Sequence, residues 1–190
     1  MVERVKKGLL IILSGPSGVG KGTVREELFK DESLNLAYSI SMTTRKPRPA
    51  ERDGVDYFFV EEDEFLKKIE NNELLEYAQF VGNYYGTPQF YVNQLLNEGK
   101  NVVLEIEVQG ALQVMAKCPE ALTIFLVPPS FEELERRIRG RRTEAEEIVK
   151  QRLDKARKEI ATKDEYKHVV VNDDVMRAKE DIAQIIKDNI

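Results

Sequence analysis

A glycine-rich segment that contains one lysine offers the clearest chemistry in this sequence. Its residues, in order, are Gly15, Pro16, Ser17, Gly18, Val19, Gly20, Lys21, Gly22 and Thr23. Glycines allow successive backbone N–H groups to turn inward around the β-phosphate of a nucleotide, and the Lys21 ammonium would bridge the β- and γ-phosphates. An apolar run at residues 9–13 precedes the segment, and a helix-compatible stretch at 24–30 follows it. This order of strand, loop and helix predicts a phosphate-binding loop, called the phosphate loop below, rather than a glycine-rich turn with a surface lysine.

The position after Lys21 departs from the usual pattern of such loops. A Ser or Thr hydroxyl that binds magnesium normally stands there, whereas this chain has Gly22 followed by Thr23. A later apolar run ends in Glu105, Ile106 and Glu107, and its carboxylates are suited to orienting the ion. We expect Mg²⁺ to be held mainly by phosphates and water, with Thr23 and Glu107 as candidate protein ligands.

The composition excludes several other kinds of chemistry. The chain of 190 residues has one cysteine, Cys118, and one histidine, His168, which are too few for an internal disulfide, a structural zinc site or a histidine cluster. His168 directly precedes an apolar run at 169–171, which favours a strand-end position over a catalytic role. Lys and Arg number 29 against 34 Asp and Glu, and the net charge of -5 argues against general binding of nucleic acid.

No apolar run is long enough for a signal peptide or a membrane span. The run near the start covers only residues 9–13. Together with the single cysteine, this predicts a cytoplasmic protein with no membrane partner.

Unbroken apolar runs at 9–13, 102–104, 124–127 and 169–171 predict strands that are buried on both faces. Apolar residues at helical spacing begin at residues 131, 149 and 175, the first after a capping box formed by Ser130 and Glu133. Strands that alternate with helices predict a doubly wound α/β sheet.

Two segments interrupt this alternation. Residues 45–95 combine a Pro-rich charged stretch, short apolar runs and a turn at Gly82-Asn83, and they predict a small lobe of antiparallel strands inserted in the α/β core. Residues 136–142 contain five arginines around Gly140, and they predict a mobile basic loop rather than a packed element.

Together with the phosphate loop, further motifs resemble the guanylate kinase family. They stand in family order from about residue 8 to about residue 175 and comprise residues 41–48, Glu51, 54–57, 76–80, 82–87, 105–107, Gln109, Gly110, 140–144, Arg152 and 171–174. The resemblance implies a P-loop nucleoside monophosphate kinase fold: an α/β parallel sheet flanked by helices, with an inserted small α+β GMP-binding lobe and a helical lid. It also implies one domain over 8–187, with the core at about 8–40, 96–134 and 160–187, the lobe at about 41–95 and the lid at about 135–159.

The resemblance implies transfer of the γ-phosphoryl group of ATP to GMP, giving ADP and GDP, with Mg²⁺ as the cofactor and dGMP as a further acceptor. A phosphate acceptor with a second pKa of about 6 is already ionised at neutral pH, so the reaction needs no general base. The residues implied as catalytic are Lys21, Arg45, Arg137, Arg141 and Arg152. The ATP site is implied to be the phosphate loop with Asn172. The residues implied for GMP binding are Ser41, Arg45, Arg48, Glu51, Tyr57, Glu76, Tyr85, Thr87 and Glu107.

Glu76 is the residue implied to select guanine. A carboxylate can accept hydrogen bonds from guanine N1–H and N2–H₂ together, whereas adenine presents an acceptor at the first position and nothing at the second. Two alternatives stay open at this point: a noncatalytic module of the same fold that binds phosphopeptides as a scaffold, and a kinase for another nucleoside monophosphate. The presence of Lys21, Arg141 and Arg152 disfavours the first, and the guanine-reading residues disfavour the second.

Overall fold

The computed structural model describes residues 6–140 and 145–190. In chain order the elements are β1 (Leu10–Ser14), α1 (Lys21–Leu28), β2 (Leu36–Tyr38), β3 (Met42–Thr43), β4 (Phe58–Phe59), α2 (Glu62–Glu70), β5 (Leu74–Phe80), β6 (Asn83–Pro88), α3 (Gln89–Asn97), β7 (Asn101–Glu105), α4 (Val108–Lys117), β8 (Leu122–Val127), α5 (Phe131–Gly140), α6 (Glu146–Ile160), β9 (His168–Val171) and α7 (Val175–Lys187).

Five strands form a parallel sheet in the order β2-β7-β1-β8-β9. The central strand β1 pairs with β7 on one side and with β8 on the other, so that Ile11 lies opposite both Val103 and Leu122. Alternate side chains of β1 enter two cores: Ile11 packs with apolar residues of α1 and α7, and Ile12 with those of α3 and α4. Helices on both faces explain why the strands are apolar without alternation, and the predicted parallel α/β sheet is confirmed. The edge strand β2 was not predicted, because it is only three residues long and only partly buried.

The parallel sheet collects the functional segments at one edge. The phosphate loop follows β1, Glu107 follows β7 and Asn172 follows β9. Because the carboxyl ends of parallel strands meet at the same edge of a sheet, these three segments become neighbours.

Between β2 and α3 a second sheet has the order β4-β3-β6-β5. It was predicted to be antiparallel, but it is mixed: β3 pairs with β6 antiparallel and with β4 parallel. The connection between β3 and β4 covers residues 44–57, which is long enough to return the chain to the same end of the sheet. The two-residue turn of the β5–β6 hairpin is formed by Val81 and Gly82, both with positive φ, one residue earlier than predicted.

Helices α5 and α6 pack against each other through a separate apolar cluster that includes Leu134, Ile138 and Leu153. The prediction of a mobile basic loop from residue 136 is wrong for residues 136–140, because α5 continues to Gly140. Arginine is a good helix former, and these arginines pair with glutamates three or four residues before them, as Arg139 does with Glu135. Arg141 and Arg142 lie outside the described residues.

Among the described residues, no helix combines the length and the apolar character that a membrane span requires. The boundaries given above for core, lobe and lid stay predictions.

Candidate active site

The phosphate loop is held in place by the end of β9. Gly20, the residue before α1, has a φ of 97°, a left-handed conformation that favours glycine, and a Cβ here would lie 2.7 Å from the side-chain nitrogen of Asn172. That Asn172 amide donates a hydrogen bond to the Val19 carbonyl oxygen at 2.7 Å. Asn172, predicted for the ATP site, therefore contacts the loop itself.

The Lys21 ammonium is folded back on its own loop. It donates to the carbonyl oxygens of Gly15 at 2.7 Å and Pro16 at 3.2 Å. Burial lowers the pKa of Lys21, and the negative charges of Glu105 and Glu159 oppose that effect. These backbone contacts are the ones that phosphate oxygens would replace.

The phosphate loop opens into a cavity of about 390 Å³, called the loop pocket. Its lining residues are Gly15, Ser17, Gly18, Gly20, Lys21, Gly22, Thr23, Glu105, Ile106, Glu107 and Glu159. Glu105 also forms an ion pair with Arg25 of α1, at 3.2 Å. Three carboxylates and the hydroxyls of Ser17 and Thr23 thus share one pocket with a lysine.

Two of the predicted catalytic arginines contact the phosphate loop. The Arg137 guanidinium donates to the carbonyl oxygens of Val19 at 3.3 Å and Asn172 at 3.0 Å, and it pairs with Glu133 at 2.9 Å. From α6, Arg152 donates to the Ser17 hydroxyl at 3.3 Å. Arg141 lies outside the described residues.

A second cavity of about 470 Å³, called the lobe pocket, lies between the second sheet and the end of β7. Its lining residues are Ser41, Tyr57, Glu76, Ala78, Gln79, Phe80, Tyr85, Gly86, Glu105, Ile106, Glu107, Gln109, Gly110 and Lys155. The structure thus brings together five of the residues predicted for GMP binding: Ser41, Tyr57, Glu76, Tyr85 and Glu107.

Glu76 is a buried carboxylate, only 8% exposed, at the inner wall of the lobe pocket. The Thr87 hydroxyl donates to its Oε1 at 2.6 Å, which brings the predicted Thr87 to the same site. Burial raises the pKa of Glu76, and the hydrogen bond from Thr87 partly opposes this. Gly110 of α4 makes room for the carboxylate, because a Cβ there would lie 2.7 Å from Glu76 Oε2.

The remaining predicted lobe residues, Arg45, Arg48 and Glu51, lie beside the lobe pocket and centre on an ion pair between Arg45 and Glu51. The Arg45 guanidinium donates two hydrogen bonds to Glu51, both at 2.9 Å, and lies 5.4 Å above the centre of the Tyr57 ring. Glu51 also accepts from the Arg48 backbone N–H at 2.8 Å, and hydrogen bonding to Arg45 and to that N–H lowers the pKa of Glu51 to about 2. Glu51 therefore holds Arg45, while the Arg48 side chain is exposed.

The two pockets share the wall formed by Glu105, Ile106 and Glu107. A phosphate chain in the loop pocket and a second phosphate in the lobe pocket would therefore face each other across the end of β7. The arrangement suits transfer of a phosphoryl group between two bound molecules, because such transfer depends on alignment and on stabilisation of charge.

Sequence reasoning missed the pocket roles of Lys155 and Glu159. Glu105 was considered together with Glu107 as a carboxylate at the end of the same apolar run, and both line the two pockets. Lys155 and Glu159 lie within the amphipathic pattern of α6, where charged residues ordinarily face solvent, so no signal distinguished them.

Comparison with known proteins identifies the family of this chain. A family model described as guanylate kinase matches residues 7–189. The guanylate kinase of Bacillus anthracis is 59% identical over 183 residues, which cover 96% of this chain and 89% of that protein. For the guanylate kinase of Lactococcus lactis subsp. lactis (strain IL1403), the identity is 57%, over 96% of this chain and 88% of that protein. The crystal structure of guanylate kinase from Anaplasma phagocytophilum superposes with a TM-score of 0.72 at 34% identity, covering 97% of this chain and 87% of that one. The chain belongs to the guanylate kinase family.

Proposed function

We propose that this protein transfers the γ-phosphoryl group of ATP to GMP, giving ADP and GDP. The observation that carries the proposal is the buried Glu76 carboxylate, paired with Thr87, in a pocket that shares a wall with the pocket of the phosphate loop. The names of the relatives at 55–59% identity support it.

In the loop pocket, the phosphate loop binds the triphosphate of ATP through backbone N–H groups and the N-terminus of α1. Lys21 exchanges its two carbonyl partners for oxygens of the β- and γ-phosphates. Arg137 and Arg152, which already contact the loop, contribute positive charge beside the group that moves.

In the lobe pocket, Glu76 accepts from the guanine edge, and Ser41 and Thr87 complete the base site. Arg45, Arg48, Tyr57 and Tyr85 bind the phosphate of GMP, and Glu51 holds Arg45 in place. An oxygen of this ionised phosphate attacks the γ-phosphorus of ATP. The bond from that phosphorus to the β–γ bridging oxygen breaks, and its electron pair leaves with ADP.

The oxygen donors of the loop pocket suit Mg²⁺. Thr23 supplies a hydroxyl, and Glu105, Glu107 and Glu159 supply carboxylates. The Oε2 atom of Glu159 is buried and has no hydrogen-bond partner among the described residues. Among the described residues, no three acidic, His or Cys side chains form a metal-binding group. Thr23 and Glu107, which both line the loop pocket, would hold the ion together with phosphates and water. When bound, Mg²⁺ neutralises charge on the β- and γ-phosphates.

We further propose the cytoplasm as the compartment, because a lone cysteine, half-buried Cys118, suits a reducing environment.

The deciding experiment is steady-state turnover with ATP and Mg²⁺ and with GMP, dGMP, AMP or UMP as the acceptor. We expect kcat/KM for GMP to exceed that for AMP by about 10⁴, because AMP leaves the Glu76 carboxylate unpaired. Comparable values for AMP and GMP would contradict the role of Glu76. Binding of GMP without any turnover would instead indicate the noncatalytic scaffold module.

A further inference from the structure

One face of α6 reaches three parts of the candidate active site. Arg152, Lys155 and Glu159 are spaced three and four residues apart, so their side chains project from the same side of the helix. Arg152 contacts Ser17 of the phosphate loop, Lys155 lines the lobe pocket and Glu159 lines the loop pocket. The proposed function gives Arg152 a role, but it gives none to Lys155.

The Lys155 ammonium lies between two carboxylates that both line the loop pocket. It donates to Glu107 Oε2 at 3.0 Å and lies 3.6 Å from Glu159 Oε1. Glu107 lines both pockets, whereas Glu159 lines the loop pocket. Lys155 is therefore a direct link from α6 to the wall that the two pockets share.

Glu159 lies next to this link, one turn further along α6. Its side chain is only 9% exposed, and its Oε2 is buried without a hydrogen-bond partner among the described residues. The Lys155 side chain is 54% exposed, so water partly screens its attraction to this buried carboxylate. The lysine thus places its ammonium beside the wall that the two pockets share, 3.0 Å from Glu107 Oε2 and 3.6 Å from Glu159 Oε1.

We propose that Lys155 is a positioning residue for the acceptor: from α6 it fixes the Glu107 carboxylate at the lobe pocket and offsets its charge, so that binding of GMP depends on α6. This inference rests on the proposed function, since it assumes that GMP occupies the lobe pocket. Without Lys155, the Glu107 carboxylate is free to rotate, and its uncompensated charge repels the phosphate of the nucleotide.

The test compares Lys155→Met with Lys158→Met. Lys158 lies one turn away on α6, is exposed and lines neither pocket, so its substitution removes the same charge from the same helix. We expect Lys155→Met to raise the KM and the Kd for GMP about fivefold, because both side chains of the pair with Glu107 are more than half exposed. Lys158→Met should leave both constants at wild-type values, and Lys155→Arg should recover most of the GMP affinity.

A double-mutant cycle with Glu107→Gln separates this role from a general effect on α6. If Lys155 acts through Glu107, adding Lys155→Met to Glu107→Gln should weaken GMP binding by less than about twofold more. The inference is overturned if the two effects multiply, or if Lys155→Met behaves like Lys158→Met. Absence of GMP turnover by the wild-type protein would refute the proposed function instead, and calorimetric binding of GMP without ATP keeps the two outcomes distinct.

Discussion

Two glutamates of the lobe, Glu76 and Glu51, lie in contrasting environments. Glu76 is buried with one hydroxyl partner, and its pKa is raised, whereas Glu51 is gripped by Arg45 and its pKa falls to about 2. Glu76 accepts one hydrogen bond from a side chain, which leaves it able to accept more from a ligand. Glu51 already accepts hydrogen bonds from Arg45 and from the Arg48 backbone, which suits a structural role.

For Glu76→Gln we expect kcat/KM for GMP to fall by about 10²- to 10³-fold, because an amide cannot accept from both guanine donors. The melting temperature at pH 7 should rise, since the raised pKa means that the ionised carboxylate destabilises the folded state above its usual pKa. Steady-state kinetics and thermal unfolding without nucleotide measure the two effects. Glu73→Gln, an exposed residue just before β5, is the control and should change neither. A lower melting temperature for Glu76→Gln would contradict this account.

At the level of helices and strands, burial decided what the sequence could predict. The strands β1, β7 and β8 were predictable because both faces of the sheet are covered there and their residues are unbroken apolar runs. The run at 169–171 does form β9, but the prediction that it is buried on both faces is wrong, because β9 is an edge strand in which Val169 and Val171 are 44% and 45% exposed. Residues from 136 onward were predicted to be a loop because so many of them are arginines. Leu134 and Ile138, four residues apart, are the buried residues of helix α5, and this spacing is the helical signal. The phosphate loop was predictable from local residue types, but the contacts of Lys155 join segments 48 residues apart and leave no local pattern.

Gly110 of helix α4 packs against the Glu76 carboxylate, and substituting it tests whether this space is needed. In most helices Gly→Ala is stabilising by about 0.5–1 kcal/mol, because glycine loses more backbone entropy on folding. Here the new Cβ would meet Glu76 Oε2 at 2.7 Å, so the carboxylate must move. We expect Gly110→Ala to raise the KM for GMP at least about tenfold without lowering the melting temperature.

Gly140→Ala is the matched control for that variant, because no residue that the structure describes has an atom within 4 Å of a Cβ at the end of α5. Its KM for GMP should equal that of the wild type. If Gly110→Ala binds GMP normally, the space beside Glu76 is not needed and the packing argument is wrong.

For the whole molecule, ion pairs on the lobe and on α5 determine how folding responds to acid. Glu51 and Glu133 have pKa values of about 2, below the ordinary 4.5, because arginines hydrogen-bond to both. Their contribution to stability is complete above about pH 4.5 and is lost as the pH falls toward 2. The buried Glu76 and Glu159 act in the opposite direction, since their pKa values are raised by burial.

We therefore expect the melting temperature of the wild type to fall between about pH 4.5 and about pH 2.5, measured by circular dichroism without nucleotide. Glu51→Gln should melt at a lower temperature at pH 7 and show a shallower fall with acid, because it no longer loses the Arg45 pair. Glu180→Gln, on an exposed part of α7, should follow the wild-type curve. Parallel curves for Glu51→Gln and the wild type would show that this pair does not contribute.

The contact between Asn172 and Val19 joins residues 153 positions apart. The ribosome releases the phosphate loop well before the strand that fixes its turn, because β7, β8 and helices α5 and α6 are synthesised between the two. Until β9 has emerged, the nascent chain carries the loop without this support, so nucleotide stabilises it less than it stabilises the folded protein. We expect firm binding of ATP to begin only when Asn172 can contact Val19.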